Sequence, residues 1–326
     1  MNQIAKSPFV SVIIPCKAVD QTTDECLDAL AGLAYPKFEV LVVTDEPADV
    51  KRASVRYLES GPVGPARKRD QGATAAKGDI LAFIDADAFP DRNWLQTAVD
   101  VFGDPGVTAV GGPGLTPPGD GALAHASGWI LSSYLGGGPH RFRSIKGNAR
   151  WVDDYPSMNF LVRRSAFEEV GGFSTHFYPG EDTKLCLSLI TNGGRIRYDP
   201  NVVVYHHRRD LFRPYLRQIA QYGLHRGHFA RIYPRTSRRL NYMLPSLWLL
   251  WIIGGAIVAP AALPVWMLYK LALWAYGAGL LFSGVEIAMR SRNIGMGALG
   301  AIGIALSHPV YGAAFIRGFF ARTLKR

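Results

Sequence analysis

The sequence predicts an α/β domain built on a mostly parallel sheet, followed by an apolar helical region. Three observations predict it. Short β-branched runs alternate with helically spaced apolar stretches over the first two-thirds of the chain. Charged residues gather at or just beyond the carboxyl ends of those runs, where open α/β sheets collect their ligands. The last third holds long stretches almost free of charge. A chain of 326 residues has room for both parts.

Taken in order, Phe9-Val-Ser-Val-Ile-Ile14-Pro15 is a first strand stopped by proline. Residues 22–34 carry Leu27, Leu30 and Leu33 at helical spacing, with Thr22 or Thr23 as N-cap. Phe38 to Val43 is a second strand, ending in Thr44-Asp45-Glu46-Pro47. Gly64 and Pro65 open an Ala-rich helix bearing Arg67, Lys68 and Arg69. Then Ile80 to Ile84 forms a buried strand that breaks into Asp85-Ala-Asp87 and ends at Pro90. Two acids one residue apart at the mouth of a buried strand suit a hard divalent ion, Mg²⁺ or Mn²⁺. Solvated acids capping a strand end are the alternative reading of that tripeptide alone.

Residues 103–121 are rich in Gly and Pro and read as a loop-dominated connection. Gly136 to Lys146 reads as a basic loop, either a mobile lid near phosphates or an ordinary solvated turn. Residues 157–173 read as a strand, a short helix and a Gly-Gly stop. Gly180-Glu181-Asp182 places two acids on the first turn of another helix, where the dipole favours anions. Arg195 to Tyr205 reads as a last strand running into His206-His207-Arg208-Arg209, and either histidine can offer a neutral nitrogen ligand.

Lys and Arg outnumber Asp and Glu by 36 to 26, a net charge of +10, which points to an anionic partner. Three scattered cysteines argue against a disulfide framework and fit a reducing compartment. Met1 to Pro8 is polar and lacks the apolar core of a signal peptide. Nine arginines between 208 and 239, interleaved with Phe212, Tyr215, Ile219, Tyr222 and Phe229, suggest basic amphipathic helices at an anionic membrane surface. A nucleic-acid-binding face is the alternative there, and the apolar segments that follow speak against it. Residues 243–262 and 265–288 each approach the ~20 apolar residues that a span requires. Trp248, Trp251, Trp266 and Trp274 suit lipid-facing or interfacial positions. A third apolar stretch, 294–316, is glycine-rich. Arg290 and Arg292 after the second span, and Arg317, Arg322, Lys325 and Arg326 after the third stretch, argue for two crossings with cytoplasmic flanks. On that count 294–316 is re-entrant or interfacial. A soluble helical bundle is the competing reading of all three stretches.

The motifs Val-Ile-Ile-Pro, Val-Val-Thr-Asp, Gly-Pro-Ala-Arg-Lys-Arg-Asp-Gln-Gly, Phe-Ile-Asp-Ala-Asp, Val-Gly-Gly-Phe, Gly-Glu-Asp and His-His-Arg-Arg occur in that order between about residues 9 and 233. Together they resemble the family 2 glycosyltransferases of GT-A fold, the Rossmann-like nucleotide-diphospho-sugar transferases, here followed by interfacial and transmembrane helices. His308-Pro-Val-Tyr-Gly and Ile316-Arg-Gly resemble bacterial transferases acting on lipid-linked sugars in polysaccharide biosynthesis.

The resemblance implies a GT-A catalytic domain over 1–207, basic interfacial helices over 208–242 and a membrane domain over 243–326. It implies inverting transfer from a UDP- or GDP-linked sugar to a lipid-linked acceptor at the cytoplasmic face of the inner membrane, without nucleic acid. Pro15, Lys17 and Asp45 would line the base and ribose pocket, and Arg69 would lie beside the phosphates. Asp85 and Asp87 would bind the donor and its metal, with Asp87 the direct ligand and His206 or His207 a further one. Asp182 would be the general base, with Glu181 beside it. Thr44-Asp45 and Arg69-Asp70 stand where the family carries paired acids and Arg-Asn. A non-catalytic scaffold keeping the fold is the alternative function.

Overall fold

The computed structural model describes residues 7–48 and 52–324. Met1 to Lys6 of the N-terminal reading, and Lys325 and Arg326 of the orientation argument, lie outside the described residues. The chain forms two compact units, residues 1–117 with 145–207, and residues 118–144 with 208–326.

The first unit begins with β1 (Val10–Pro15), α1 (Gln21–Ala31), β2 (Phe38–Thr44), β3 (Val55–Glu59), α2 (Pro65–Ala75) and β4 (Ile80–Ile84). These strands pair in parallel, in the order β3-β2-β1-β4. β4 is apolar throughout and fully buried, as a strand covered on both faces must be. The cap of α1 is Asp20, whose Oδ1 accepts the Thr23 N–H at 2.9 Å. Thr22 and Thr23, expected as caps, instead donate their hydroxyls to the same carboxylate. An ionised acceptor outcompetes a hydroxyl at a helix start.

Beyond β5 (Ala88–Pro90), α3 (Trp94–Val101), β6 (Ala109–Gly111) and β7 (Gly114–Leu115), the chain leaves this unit through α4 (Ala122–Ser132) and α5 (Tyr134–Gly137). It returns with β8 (Arg150–Val152), β9 (Asn159–Arg163), α6 (Arg164–Glu169), α7 (Glu181–Thr191), β10 (Ile196–Tyr198) and β11 (Val204–His206). The full sheet runs β3-β2-β1-β4-β9-β6-β10-β8, so the parallel half continues into a mixed one. β9 is antiparallel to both β4 and β6. The single strand expected over 195–205 is two. Asp199-Pro200-Asn201 breaks it with a side-chain turn, Asn201 N–H to Asp199 Oδ1 at 2.8 Å, and β11 crosses into a small β5-β11-β7 sheet. Asn159 holds that junction. Its buried amide donates to Gly112 O and Val202 O, both at 2.7 Å, while its Oδ1 accepts Trp94 Nε1 at 2.9 Å.

The second unit joins α4 and α5 to α8 (Arg213–Ile232), α9 (Pro234–Ser237), α10 (Leu240–Val258), α11 (Leu263–Ser291) and α12 (Ile294–Phe320). Residues 118–144, expected inside a 1–207 domain, therefore group with the C-terminal helices. Most of the expected lid is helical: Gly138–Arg143 continues α5 as a 3-10 turn, and Arg141 pairs with Glu286 at 2.8 Å. Three helical segments, Leu240–Ala261, Leu263–Ser291 and Ile294–Phe320, are long and apolar enough to cross a membrane. The third is one unbroken helix with Pro309 inside it.

Within this unit α8 and α12 approach through glycine. A Cβ added at Gly227 would lie 2.0 Å from Phe315 O, and one at Gly318 would lie 1.9 Å from Leu224 O. Backbone contact this close needs residues without side chains, the usual device of tightly packed apolar helices. Gly227→Val is therefore expected to lower the melting temperature of the purified chain in detergent, with a loss of about 1–3 kcal/mol or more from overpacking. An unchanged melt would show that this crossing is looser than described.

Candidate active site

The site is built at the carboxyl ends of β1, β2 and β4. After β4 the chain turns at once, with Ala88 N–H donating to Asp85 O at 3.1 Å, so Asp85 and Asp87 stay beside the strand end. β5 then pairs antiparallel with β11, and the register sets His206 opposite Ala88. The ring of His206 thereby reaches Asp87, Nε2 to Oδ1 at 3.2 Å. Ligand atoms of Asp85, Asp87 and His206 all lie within 4.8 Å of one another. Successive residues of a strand point to opposite faces. The ring of His207 accordingly goes elsewhere, its Nε2 2.8 Å from Glu25 Oε2. Its backbone N–H donates to Asp87 O at 3.0 Å. Two carboxylates and one imidazole make a donor set that fits Mn²⁺ or Mg²⁺.

Arg69 organises the other side. It is 3% exposed, and its guanidinium donates to Asp85 Oδ1 at 2.6 Å and to Glu181 Oε1 at 2.9 Å. The next residue, Asp70, turns away and accepts the backbone N–H groups of Phe173 and Ser174 at 2.9 and 3.3 Å. Asp70 therefore anchors the segment leading to α7. Gly180, at φ 120°, makes the sharp entry that sets Glu181 and Asp182 on the first turn. Glu181 is buried beneath Arg69, whereas Asp182 is half-buried, its Oδ1 accepting the Thr183 N–H at 2.7 Å. Burial, with the charge of Asp182 beside it, pushes the Glu181 carboxyl up to about 7 against the opposing pull of Arg69.

Pro15 ends β1, and exposed Lys17 contributes its backbone carbonyl, which accepts the Asp45 N–H at 2.9 Å. Asp45 is ion-paired with Lys68, a residue the sequence reading passed over as one basic residue among three on its helix. Lys68 is 3% exposed and also donates to Cys16 O. The signal that could have found it is position: Lys68 and Arg69 share the first two turns of a helix that opens at the strand ends. Tyr178, exposed and in the field of Asp85 and Glu181, was likewise not singled out.

Residues 11–171 match the glycosyl transferase family 2 domain. The chain carries a family 2 glycosyltransferase domain. Its fold is GT-A: a mannosyltransferase from Pyrobaculum calidifontis, solved with GDP-Man and Mn²⁺, superposes with a TM-score of 0.59. That match covers 94% of this chain and 89% of the other at 22% identity. A pre-mycofactocin glycosyltransferase of Mycobacterium tuberculosis is 32% identical over 231 residues, 71% of this chain. The chain spans only 44% of that relative's length. Glycosyltransferase AglE of Haloferax volcanii is 29% identical over 268 residues, 78% of this chain and 83% of that protein.

The buried Glu181 ties stability to pH. A carboxyl whose pKa is raised in the folded state stabilises fully below its unfolded value, about 4.5, and that contribution is lost as pH rises through about 7. Melting curves across pH 4.5 to 7.5, recorded with a chelator present, should show this fall in the wild type and a flatter profile in Glu181→Gln. Parallel profiles would mean that Glu181 is ionised throughout.

Proposed function

We propose that the chain is a membrane-attached, inverting, divalent-metal-dependent glycosyltransferase. It takes a UDP- or GDP-linked sugar and transfers the sugar to a lipid-linked saccharide, on a polyprenyl diphosphate, at the cytoplasmic face of the inner membrane. The observation that carries this reading is the meeting of Asp85, Asp87 and His206 at the end of β4, bridged through Arg69 to the turn bearing Asp182. Three apolar helices in the same chain favour an acceptor that itself resides in a bilayer, since protein and acceptor are then confined to one surface.

In this reading Asp87 and His206 hold the cation, with Asp85 on the donor side, its Oδ1 fixed by Arg69. A bound divalent ion supplies charge neutralisation for the departing nucleoside diphosphate. Pro15, Lys17 and Asp45 border the base and ribose, and Lys68 keeps the Asp45 carboxylate in one orientation. Asp182 accepts the proton of the acceptor hydroxyl as that oxygen attacks the anomeric carbon from the face opposite the leaving group. Its position at a helix N-terminus favours the ionised form that a base requires. Glu181, buried and paired, anchors the turn and leaves the proton transfer to its neighbour.

The test is release of nucleoside diphosphate from a panel of nucleotide sugars in the presence of a polyprenyl-diphosphate-linked saccharide. Excess chelator and Asp87→Ala should each abolish turnover. Asp182→Asn should lower it by about 10²–10⁴-fold, while donor affinity measured by calorimetry stays unchanged. Turnover that survives chelation would overturn the metal assignment. Loss of donor binding in Asp182→Asn would move that residue to the donor site.

A further inference from the structure

Between residues 211 and 326 the sequence contains a single acid, Glu286, against a dozen and more basic residues. Glu286 lies near the end of α11 with its side chain 9% exposed. Its Oε1 accepts from Arg141 Nη2 at 2.8 Å and from Arg290 Nη1 at 3.1 Å, and its Oε2 accepts the Tyr134 N–H at 3.1 Å. Ser132 O accepts from both arginines as well, Arg141 Nε at 2.8 Å and Arg290 Nη1 at 3.2 Å. Three donors fill most of the carboxylate's roughly four acceptor positions. The arginines are less fully used.

One negative charge here serves two guanidinium groups, which leaves a local surplus of one positive charge. A guanidinium has five N–H donors. Among the described residues Arg141 Nη1 and Arg290 Nη2 have no protein partner, and their side chains are 18% and 30% exposed. Both groups are held rigidly in place, Arg141 stacked 3.7 Å from the Tyr134 ring centroid and Arg290 5.0 Å from that of Trp129. Around them the surface is apolar: Phe282, Val285 and Met289 on α11, and Tyr134 on α5, are all exposed. A fixed pair of unspent cationic donors bordering an apolar helix surface matches one chemistry, an anionic phosphate carried on a lipid.

We propose that Arg141 and Arg290 form a binding site for the phosphate of a membrane lipid, with Glu286 as the internal counter-charge that holds both guanidinium groups in register. The proposal rests on membrane attachment. It also specifies how the transferase reading would engage its acceptor, since a polyprenyl diphosphate and an anionic phospholipid present the same chemistry.

The experiment uses the full chain in detergent and counts bound lipid by native mass spectrometry, with no donor present. The probes are a polyprenyl phosphate, the corresponding polyprenol and phosphatidylglycerol. Polyprenyl phosphate should bind at least about tenfold more tightly than polyprenol, and Arg290→Gln should remove about tenfold of that preference while Arg290→Lys restores part of it. Preference for polyprenyl phosphate over phosphatidylglycerol identifies the acceptor as the occupant; equal binding of the two identifies bulk anionic lipid, and both outcomes support a phosphate site. Equal binding of polyprenyl phosphate and polyprenol by the wild type overturns the proposal, whatever the folding of the variants. So does a folded Arg290→Gln protein with the phosphate preference intact. A protein that prefers phosphate lipids yet releases no nucleoside diphosphate would sink the transferase reading and leave this site standing.

Discussion

The first unit depends on one buried cation. Arg69 is almost completely removed from water and can stay charged there only because Asp85 and Glu181 both face it. Removing both partners would leave an uncompensated buried charge, a cost of about 3–5 kcal/mol in comparable pairs. The pairing joins three places far apart in sequence: the middle of α2, the end of β4 and the first turn of α7. Asp70 extends the tie by one residue, fixing the Phe173–Ser174 backbone on the way to α7. The spacing between the acidic pair and the helix that carries Asp182 is therefore set by two consecutive residues of α2.

The same arrangement explains how two neighbouring acids come to differ. Asp85 is oriented by Arg69, Asp87 by the ring of His206 and the backbone of His207. Glu181 and Asp182 divide likewise. The first is buried and held with a raised pKa, the second lies toward solvent at the helix start. Environment separates groups that composition leaves identical.

The helical unit follows a different logic. Its long helices α10, α11 and α12 are apolar nearly all round, so hydrophobic burial cannot select among their faces, and small residues do so instead. Gly297, Gly300, Gly303, Gly312 and Gly318 are buried along α12, which packs on α4, α8, α10 and α11. Gly223 and Gly227 answer from α8. The arginines of α8, read from sequence as the basic face of an amphipathic helix at a membrane surface, share their helix with this packed one.

What the sequence by itself determined is most of what short-range pattern sets. The buried strand ahead of Asp85 and Asp87, the helix opening at Glu181, the family 2 motifs and the apolar C-terminal helices are all legible because apolar periodicity and turn residues act over a few positions. The cap at Asp20 and the break at Asp199-Pro200-Asn201 were also local, yet were misread, because a carboxylate and a proline override the neighbouring pattern. Other features belonged to the tertiary structure alone. Which of His206 and His207 faces Asp87 follows from the β5–β11 register, and a shift of one residue would exchange them. The enlistment of Lys68 for Asp45, of Asp70 for a backbone turn, and of residues 118–144 for the helical unit all rest on contacts across long sequence separations. No local pattern encodes such contacts. They are decided only when the packed chain leaves each buried charge one place to find its partner.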